Sequence, residues 1–134
     1  MKVVFDTNVL FAAFVSHGVC AGIYEECLLS AEIAVSEYIL DELRGCLVAK
    51  GRFTKAEAEA VVAALRKDAQ LTEAKPLAKG VCRDAQDDWV LATAVAAQPD
   101  AIVTGDRNLL VLQEYHGVRV VSPRDFLAML RQER

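Results

Sequence analysis

Histidine, paired cysteines and long apolar runs are scarce in this sequence, and each shortage argues against a class of protein. The 134 residues include two histidines and four cysteines. No C-x-x-C pair and no neighbouring histidine accompany the cysteines, which are Cys20, Cys27, Cys46 and Cys82, so a structural zinc site is poorly supported. The longest apolar stretch near the start, residues 9–15, is far too short to span a bilayer. We therefore expect reduced thiols and no association with a membrane.

The chain also lacks an excess of positive charge. Its 15 basic and 19 acidic residues give a formal net charge of -4, which argues against binding nucleic acid through bulk electrostatics alone. A nucleic-acid partner is still compatible with this charge, because carboxylates that hold divalent cations attract phosphate once they are loaded. No charged leader precedes the first apolar run, which begins directly after Met1-Lys2, and this predicts a cytoplasmic protein.

Apolar runs and helical patterns alternate along the chain without a repeat or a low-complexity tract. Hydrophobic residues make up 54% and charged residues 25% of the sequence, which suits one domain over residues 1–134 with a single core. Strands are predicted at residues 2–5, 32–35, 101–104 and 118–121, with a short edge strand near 71–72. Strands separated by helices predict an α/β fold with three layers, α/β/α, around a central, mostly parallel sheet of four to five strands.

Capping and turn residues predict where the helices begin. The first helical region, residues 7–30, is expected to break near His17-Gly18. The predicted start signals of the later helices are Ser36, the capping box Thr54–Glu57, Asp84 and the pair Ser122-Pro123. The helix that Asp84 opens is expected to reach residue 97.

Two of the predicted strands end in an aspartate. Asp6 directly follows the apolar run 3–5, and Asp106 follows the strand 101–104 after one glycine. In open α/β sheets the ligand crevice lies at the carboxyl ends of the strands. Two carboxylates at that edge predict a metal site on the sheet.

One acidic residue of the helix after Ser36 lies at the border of an apolar face. That face consists of Ile39, Leu43, Cys46 and Leu47. At about 100° per residue, Asp41 falls nearly opposite to it, whereas Glu42 lies on its border, where a side chain can turn into a cleft. A glutamate at such a border is usually solvated, so its neighbours alone do not assign it a function.

Three acidic residues at the start of the helix that ends near residue 97 share one face with Leu91 and Val95. They are Asp84, Asp87 and Asp88. The helix macrodipole stabilises acids at this end, and Asp84 is best assigned to the cap. Three like charges on one face repel each other unless a cation or a shared proton compensates them. Asp88, one turn deeper, is best placed to face a buried cleft, and Asp87 is an intermediate case.

Four strings in sequence order resemble the motifs of the PIN-domain ribonucleases over essentially the full length of the chain. They are Val4 to Asn8, the segment 36–43 with Glu42, Asp88 to Ala94, and Ile102 to Asp106 followed by Leu109-Leu110. Each string alone is weak, whereas four in register are specific. The resemblance implies a PIN-like fold and a nuclease with Mg²⁺ or Mn²⁺ as cofactor. Its catalytic and metal-binding residues would be Asp6, Glu42, Asp88 and Asp106.

The resemblance also implies groups that support these four acids. The candidates that would orient ligands or the nucleophilic water are Thr7, Asn8, Asp87 and Thr104. Thr7 could equally cap the following helix, and the doublet Asp87-Asp88 leaves open which acid is the main ligand. Arg107 and Arg83 lie near proposed ligands and are expected to contact the phosphates of RNA.

Within this family, a single small domain resembles the VapC-like toxins of toxin–antitoxin pairs. That resemblance implies cleavage of RNA, silencing by an antitoxin protein and a homodimer. The hydrophobic content of 54% is high, and we expect the surplus on the helices near residues 20–29 and 38–47, as a dimer surface and a groove for a partner helix. Two alternatives remain open: a PIN-domain nuclease of RNA processing without an antitoxin, and a non-catalytic PIN-like binding module.

Overall fold

A six-stranded sheet forms the centre of the fold. The computed structural model describes residues 1–77 and 85–132. The strands are β1 Lys2–Phe5, β2 Glu32–Val35, β3 Gln70–Leu71, β4 Ala101–Val103, β5 Glu114–Tyr115 and β6 Val118–Val121. Their order across the sheet is β3-β2-β1-β4-β6-β5, and neighbouring strands are parallel except β5 with β6. The prediction of a mostly parallel sheet is therefore confirmed.

Seven helices within the described residues connect and cover these strands. They are α1 Thr7–Val15, α2 Val19–Ser30, α3 Glu37–Ala49, α4 Lys55–Asp68, α5 Ala85–Ala97, α6 Arg107–Leu110 and α7 Pro123–Gln132. The predicted α/β class is confirmed, and the sheet has six strands where four to five were expected. The additional strand, β5, has only two residues, too few for the pattern that identifies a strand in a sequence.

The middle of the sheet belongs to the hydrophobic core. Val3 and Val4 of β1 are 0% exposed and Phe5 is 2% exposed. The ring of Phe5 contacts that of Phe126 on α7 edge-on, with 6.3 Å between the centroids. A strand that is buried on both faces is a continuous apolar run, which explains why residues 3–5 are all apolar. The end of β1 therefore lies in the interior of the protein, and so does the backbone of the residue that follows Phe5.

The helix boundaries follow the capping signals of the sequence. The Ser36 side chain caps α3, and Thr54 and Glu57 form both halves of the capping box of α4. α1 and α2 are separated at residues 16–18, as predicted. The predicted cap Asp84 lies outside the described residues.

α1 and α2 contribute apolar residues to the core. The buried apolar residues of the pair are Val9, Leu10, Ile23, Tyr24 and Cys27. Among the residues that the structure describes, no single helix is long and apolar enough to cross a membrane. α1 and α2 meet that criterion only as a pair, with a bend of 99° between them.

Candidate active site

Asp6 and Thr104 lie side by side where β1 and β4 end. The two strands are parallel with Phe5 opposite Val103, and the Asp6 N–H donates to the Val103 carbonyl at 2.9 Å. Both side chains are buried, Asp6 with 3% and Thr104 with 0% of its surface exposed. The strand-end carboxylate is therefore held in the interior, at the edge where α/β sheets form their ligand crevice.

Hydrogen bonds join Asp6 to Asp106 through the Thr104 hydroxyl. Thr104 Oγ1 donates to Asp6 Oδ2 at 2.7 Å and accepts from the Asp106 N–H at 3.0 Å. The hydroxyl proton is thus directed at Asp6, and a lone pair of its oxygen faces the Asp106 N–H. Asp106 Oδ1 in turn accepts from the Asn108 N–H at 2.8 Å, at the start of α6. The site thus contains two carboxylates whose positions are set by hydrogen bonds.

The pKa of Asp6 is raised above its ordinary value of 3.8. Burial is the main cause, because it disfavours the charged carboxylate, and the negative charge of Asp106 acts in the same direction. The hydrogen bond from Thr104 and the backbone N–H groups of Thr7 and Asn8 lower the pKa without cancelling the rise. Two neighbouring carboxylates, one of them buried, favour either the uptake of a proton or the binding of a cation.

Glu42 and Asp41 are adjacent acids of α3 in different surroundings. Glu42 is half-buried and Asp41 is exposed, in agreement with the helical phase expected from the sequence. Asp41 forms a surface ion pair with Arg44 at 2.5 Å, and the same guanidinium pairs with Glu59 on α4. Asp41 is therefore engaged in an ion pair on the outer surface of α3. Because the two acids are adjacent but differ in burial, they form a matched pair for mutagenesis.

The two acids of α5 are buried in the opposite order to the one expected. Asp87 is 7% exposed, whereas Asp88 is half-buried. The reason is that α5 is covered on much of its circumference, since residues 90–94 are all buried. When the buried part of a helix surface is that wide, the position of an acid relative to one apolar stripe does not show which of two neighbouring acids is more deeply buried. The predicted RNA contact Arg83 lies outside the described residues.

Three further candidates flank the strand-end acids. Thr7 is buried and is the first residue of α1, whose N-cap position is held by Asp6. The alternative in which Thr7 caps this helix is therefore wrong. Asn8 is exposed in the first turn of α1, and Arg107 is exposed at the start of α6. Asn8 and Arg107 can thus contact a molecule in solvent, whereas Thr7 acts from the interior.

A buried pair of hydroxyls that the sequence analysis missed lies beside this edge. Ser36 Oγ and Thr93 Oγ1 are hydrogen-bonded at 2.8 Å, and both side chains are 0% exposed. Continuing the parallel register of β1 and β2 places Ser36 next to Asp6. The sequence identified Ser36 only as a helix cap, and Thr93 gave no signal because its partner is 57 positions away. The bond joins the start of α3 to α5, the two helices that carry the other predicted acids.

The donor chemistry of this edge fits a divalent cation, although the acids do not form a closed cluster. Carboxylate and hydroxyl oxygens are the ligands that Mg²⁺ and Mn²⁺ prefer. The raised pKa of Asp6 beside Asp106 marks a place where positive charge would stabilise the ionised pair. In residues 1–77 and 85–132, no group of three or more His, Cys, Asp or Glu side chains is arranged to hold a metal ion. The structure therefore brings Asp6 and Asp106 together without gathering Glu42 and Asp88 into the same set of ligands.

A comparison with protein families adds an independent observation. The model of the PIN domain family matches residues 2–108, a segment that contains Asp6, Glu42, Asp88 and Asp106. Among curated proteins, none matches the chain.

Solved structures with a similar fold have low sequence identity to this chain. VapBC2 from Rickettsia felis, bound to a DNA fragment from their promoter, aligns with a TM-score of 0.65 and 16% identity over 91% of this chain and 98% of that one. PAE2754 from Pyrobaculum aerophilum aligns with a TM-score of 0.67 and 18% identity over 98% of this chain and 90% of that one. FitAcB from Neisseria gonorrhoeae aligns with a TM-score of 0.57 and 16% identity over 91% and 98%. At these identities the similarity is one of fold.

Proposed function

The chain belongs to the PIN domain family, and from that premise we propose that it is a ribonuclease that uses Mg²⁺ or Mn²⁺ to hydrolyse RNA phosphodiester bonds. The observation that carries the proposal is the buried Asp6 carboxylate, which has a raised pKa and is joined to Asp106 through Thr104. Burying a carboxylate costs free energy unless another group compensates its charge. Ionisable groups in such surroundings are concentrated at functional sites.

The four acids have distinct roles in the proposed site. Asp6 and Asp106 would hold the cation at the carboxyl edge of the sheet, and Glu42 and Asp88 would act as further ligands, directly or through water. When bound, the cation supplies the positive charge that phosphodiester hydrolysis needs at the phosphate. The Thr104 hydroxyl orients Asp6, because its proton points at that carboxylate.

The remaining candidates act on either side of these acids. Arg107 is exposed beside Asp106 and is positioned for a phosphate of the substrate. Asn8 is exposed and can orient the attacking water, whereas Thr7 and Asp87 are buried and can support the ligands from the interior.

Cleavage of RNA by the purified protein tests this proposal. We expect hydrolysis of single-stranded or loop RNA in Mg²⁺ or Mn²⁺ and none in EDTA. Asp6→Asn should abolish both the cleavage and the rise in melting temperature that Mn²⁺ produces in the parent by mass action.

Thr54→Ala is a matched control for a loss of stability alone. It removes the capping box of α4 and should lower the free energy of unfolding by about 1 kcal/mol while the protein still cleaves RNA. Undiminished cleavage in EDTA, or a response of Asp6→Asn to Mn²⁺ equal to that of the parent, would contradict the metal site.

We further propose that the protein is the toxin of a toxin–antitoxin pair and that an antitoxin protein silences it. The VapC-like features of the sequence and the similarity in fold to VapBC2 and FitAcB support this assignment. A basic side chain of the antitoxin could reach the acids and substitute for the cation. Expression of the chain alone should arrest the growth of its host, and co-expression of the partner should relieve that arrest. Asp6→Asn should be harmless in the same assay.

The same experiments separate two alternatives. A nuclease of RNA processing would cleave RNA in vitro without arresting growth. A non-catalytic binding module would bind RNA or protein without cleavage in either metal. The buried Asp6 beside the charge of Asp106 argues against the binding module. Such a pair of carboxylates lowers the stability of the fold, and a module without catalysis has no use for it.

We also propose that the protein is a homodimer. Apolar side chains are exposed on α2 and on α3, the helices expected to form the dimer surface and the partner groove; they are Val19, Leu28, Leu29, Tyr38 and Val48. Beside α2, a groove of about 310 Å³ is lined by Ile23 of α2 and by Leu127 and Leu130 of α7. An apolar helix of a second chain in this groove would cover Val19 of α2 and Leu127 of α7, which are still accessible to solvent.

A further inference from the structure

Two aromatic rings are stacked on the surface of the helices that carry Glu42 and Asp88. Tyr38 of α3 and Trp89 of α5 have ring centroids 3.6 Å apart and ring planes only 11° from parallel. Tyr38 is 46% exposed, and Trp89 is half-buried. One face of the Tyr38 ring lies on Trp89, so the exposed 46% of Tyr38 belongs to the rest of the residue. The pair is therefore an aromatic stack that is partly accessible to solvent.

The buried hydroxyl pair connects the same two helices as the stack. Ser36, two residues before Tyr38, is hydrogen-bonded to Thr93, which lies one helical turn after Trp89 on the same side of α5. Thr93 Oγ1 also lies 2.8 Å from the Trp89 carbonyl oxygen, a second hydrogen-bonding contact. The start of α3 is thus joined to α5 by the hydrogen bond between Ser36 and Thr93 and by the contact between the two rings, which preorganises the rings for a ligand.

The stacked rings are close in sequence and on the helix surface to two proposed metal ligands. Tyr38 lies one turn before Glu42 on the same side of α3, because residues four apart are neighbours on a helix. One turn corresponds to roughly 5–6 Å along the helix axis. Trp89 directly follows Asp88 on α5. A polynucleotide whose phosphate lies at the acids would therefore have a neighbouring nucleotide beside the rings.

We propose that Tyr38 and Trp89 form a platform on which one unpaired base of the RNA substrate stacks, next to the phosphate that is cleaved. This inference rests on the proposed ribonuclease function and predicts a preference for single-stranded or loop RNA, because only an unpaired base can stack on a protein ring. Every base has a π-face, so the platform accepts all four bases. The acids fix the phosphate, and the rings select an unpaired nucleotide without reading its sequence.

The fluorescence of Trp89 reports on the platform, because Trp89 lies against Tyr38 and is the single tryptophan of the chain. Titration with single-stranded RNA of about ten nucleotides, with Ca²⁺ in place of Mg²⁺ to slow hydrolysis, should quench this fluorescence. An abasic oligonucleotide of the same length carries the same phosphate charge without bases and should leave the fluorescence unchanged. Equal quenching by both oligonucleotides, or no quenching by an RNA that the protein binds, would overturn the platform.

Substitution of Tyr38 tests the same surface without altering Trp89. Tyr38→Leu should weaken RNA binding about tenfold. The loss should raise KM and leave kcat little changed, because stacking acts equally on the ground state and the transition state. Tyr38→Phe keeps the ring and should bind RNA as the parent does. Tyr115→Leu removes an aromatic ring from the edge strand β5 and should have no effect, so equal KM values for Tyr38→Leu and Tyr115→Leu would contradict the platform.

Failure of the platform and failure of the ribonuclease give different results. If the parent cleaves RNA while Tyr38→Leu keeps the parental KM, the platform is wrong and the ribonuclease stands. If RNA quenches Trp89 but is cleaved in neither Mg²⁺ nor Mn²⁺, the platform stands and the ribonuclease is wrong. If Tyr38→Leu weakens the binding of an antitoxin and not that of RNA, the rings dock a protein and the platform is wrong.

Discussion

The Thr104 hydroxyl donates a hydrogen bond of 2.7 Å to the Asp6 carboxylate across 98 positions of the sequence. The bond connects the ends of two neighbouring parallel strands, β1 and β4. Among the interactions that lower the pKa of Asp6 it is the largest, and it opposes the rise that burial causes. A carboxylate that must be ionised to bind a cation therefore depends on a neutral hydroxyl of the adjacent strand.

Replacing Thr104 by valine should show how much this bond contributes to stability and to catalysis. Thr104→Val keeps the shape of the side chain but removes the donor to Asp6 and the acceptor of the Asp106 N–H. Loss of a buried hydrogen-bond partner should lower the free energy of unfolding by about 1–3 kcal/mol. RNA cleavage should fall about 10- to 100-fold, because Asp6 loses the group that orients it. Urea denaturation and a cleavage assay measure the two effects.

Thr104→Ser is the control, because it restores the hydroxyl and should recover most of the stability and most of the activity. A serine variant as impaired as the valine variant would implicate the methyl group instead.

The raised pKa of Asp6 sets the sign of a pH effect on stability. Between its ordinary value of 3.8 and the raised pKa, the folded protein binds the Asp6 proton more tightly than the unfolded chain does. The contribution of this residue to the free energy of unfolding therefore falls as the pH rises through that window. Asp6→Asn cannot ionise, so the difference in free energy of unfolding, variant minus parent, should increase from acidic to neutral pH in EDTA. A difference that is constant over this range would contradict the raised pKa.

The helix starts and the central strands could be predicted because their signals are local. Ser36 and Thr54 accept hydrogen bonds from residues only three positions away, and a doubly buried strand such as β1 is a continuous apolar run. β5 escaped prediction because it has only two residues and because the two-residue hairpin that joins it to β6 is formed by His116 and Gly117, both with positive φ. A histidine is not among the residues that usually announce such a turn.

The candidate site could be predicted in its residue types but not in its contacts. Asp6 and Asp106 stand out because each follows an apolar run, which is again a local signal. The hydrogen bond between Ser36 and Thr93 depends on which helices become neighbours, and no local pattern encodes that. The burial of Asp87 depends on how completely other elements cover α5, so the periodicity of the helix alone did not reveal it.

Glu42→Gln and Asp41→Asn should differ although the two residues are adjacent. Both changes remove one negative charge and keep the size of the side chain. Glu42→Gln removes a proposed ligand and should lower RNA cleavage at least about tenfold. Asp41→Asn breaks an exposed ion pair with Arg44, which is worth about 0.2–1 kcal/mol of stability, and should leave cleavage nearly unchanged. Equal losses of activity in a cleavage assay would show that the half-buried Glu42 has no specific role in catalysis.

Leu29, in the last turn of α2, is 89% exposed, which fits a surface that a second copy of the chain covers. If the proposed homodimer uses this surface, Leu29→Glu should weaken it at least about tenfold, because burying a leucine is worth about 1.5–3 kcal/mol. Val111→Glu is a matched control, since Val111 is 73% exposed and follows α6. Light scattering at high micromolar concentration should show a dimer for the parent and for Val111→Glu, and a monomer for Leu29→Glu. A parent that is strictly monomeric at this concentration would rule out the homodimer, and a dimeric Leu29→Glu would place the interface on another face of the protein.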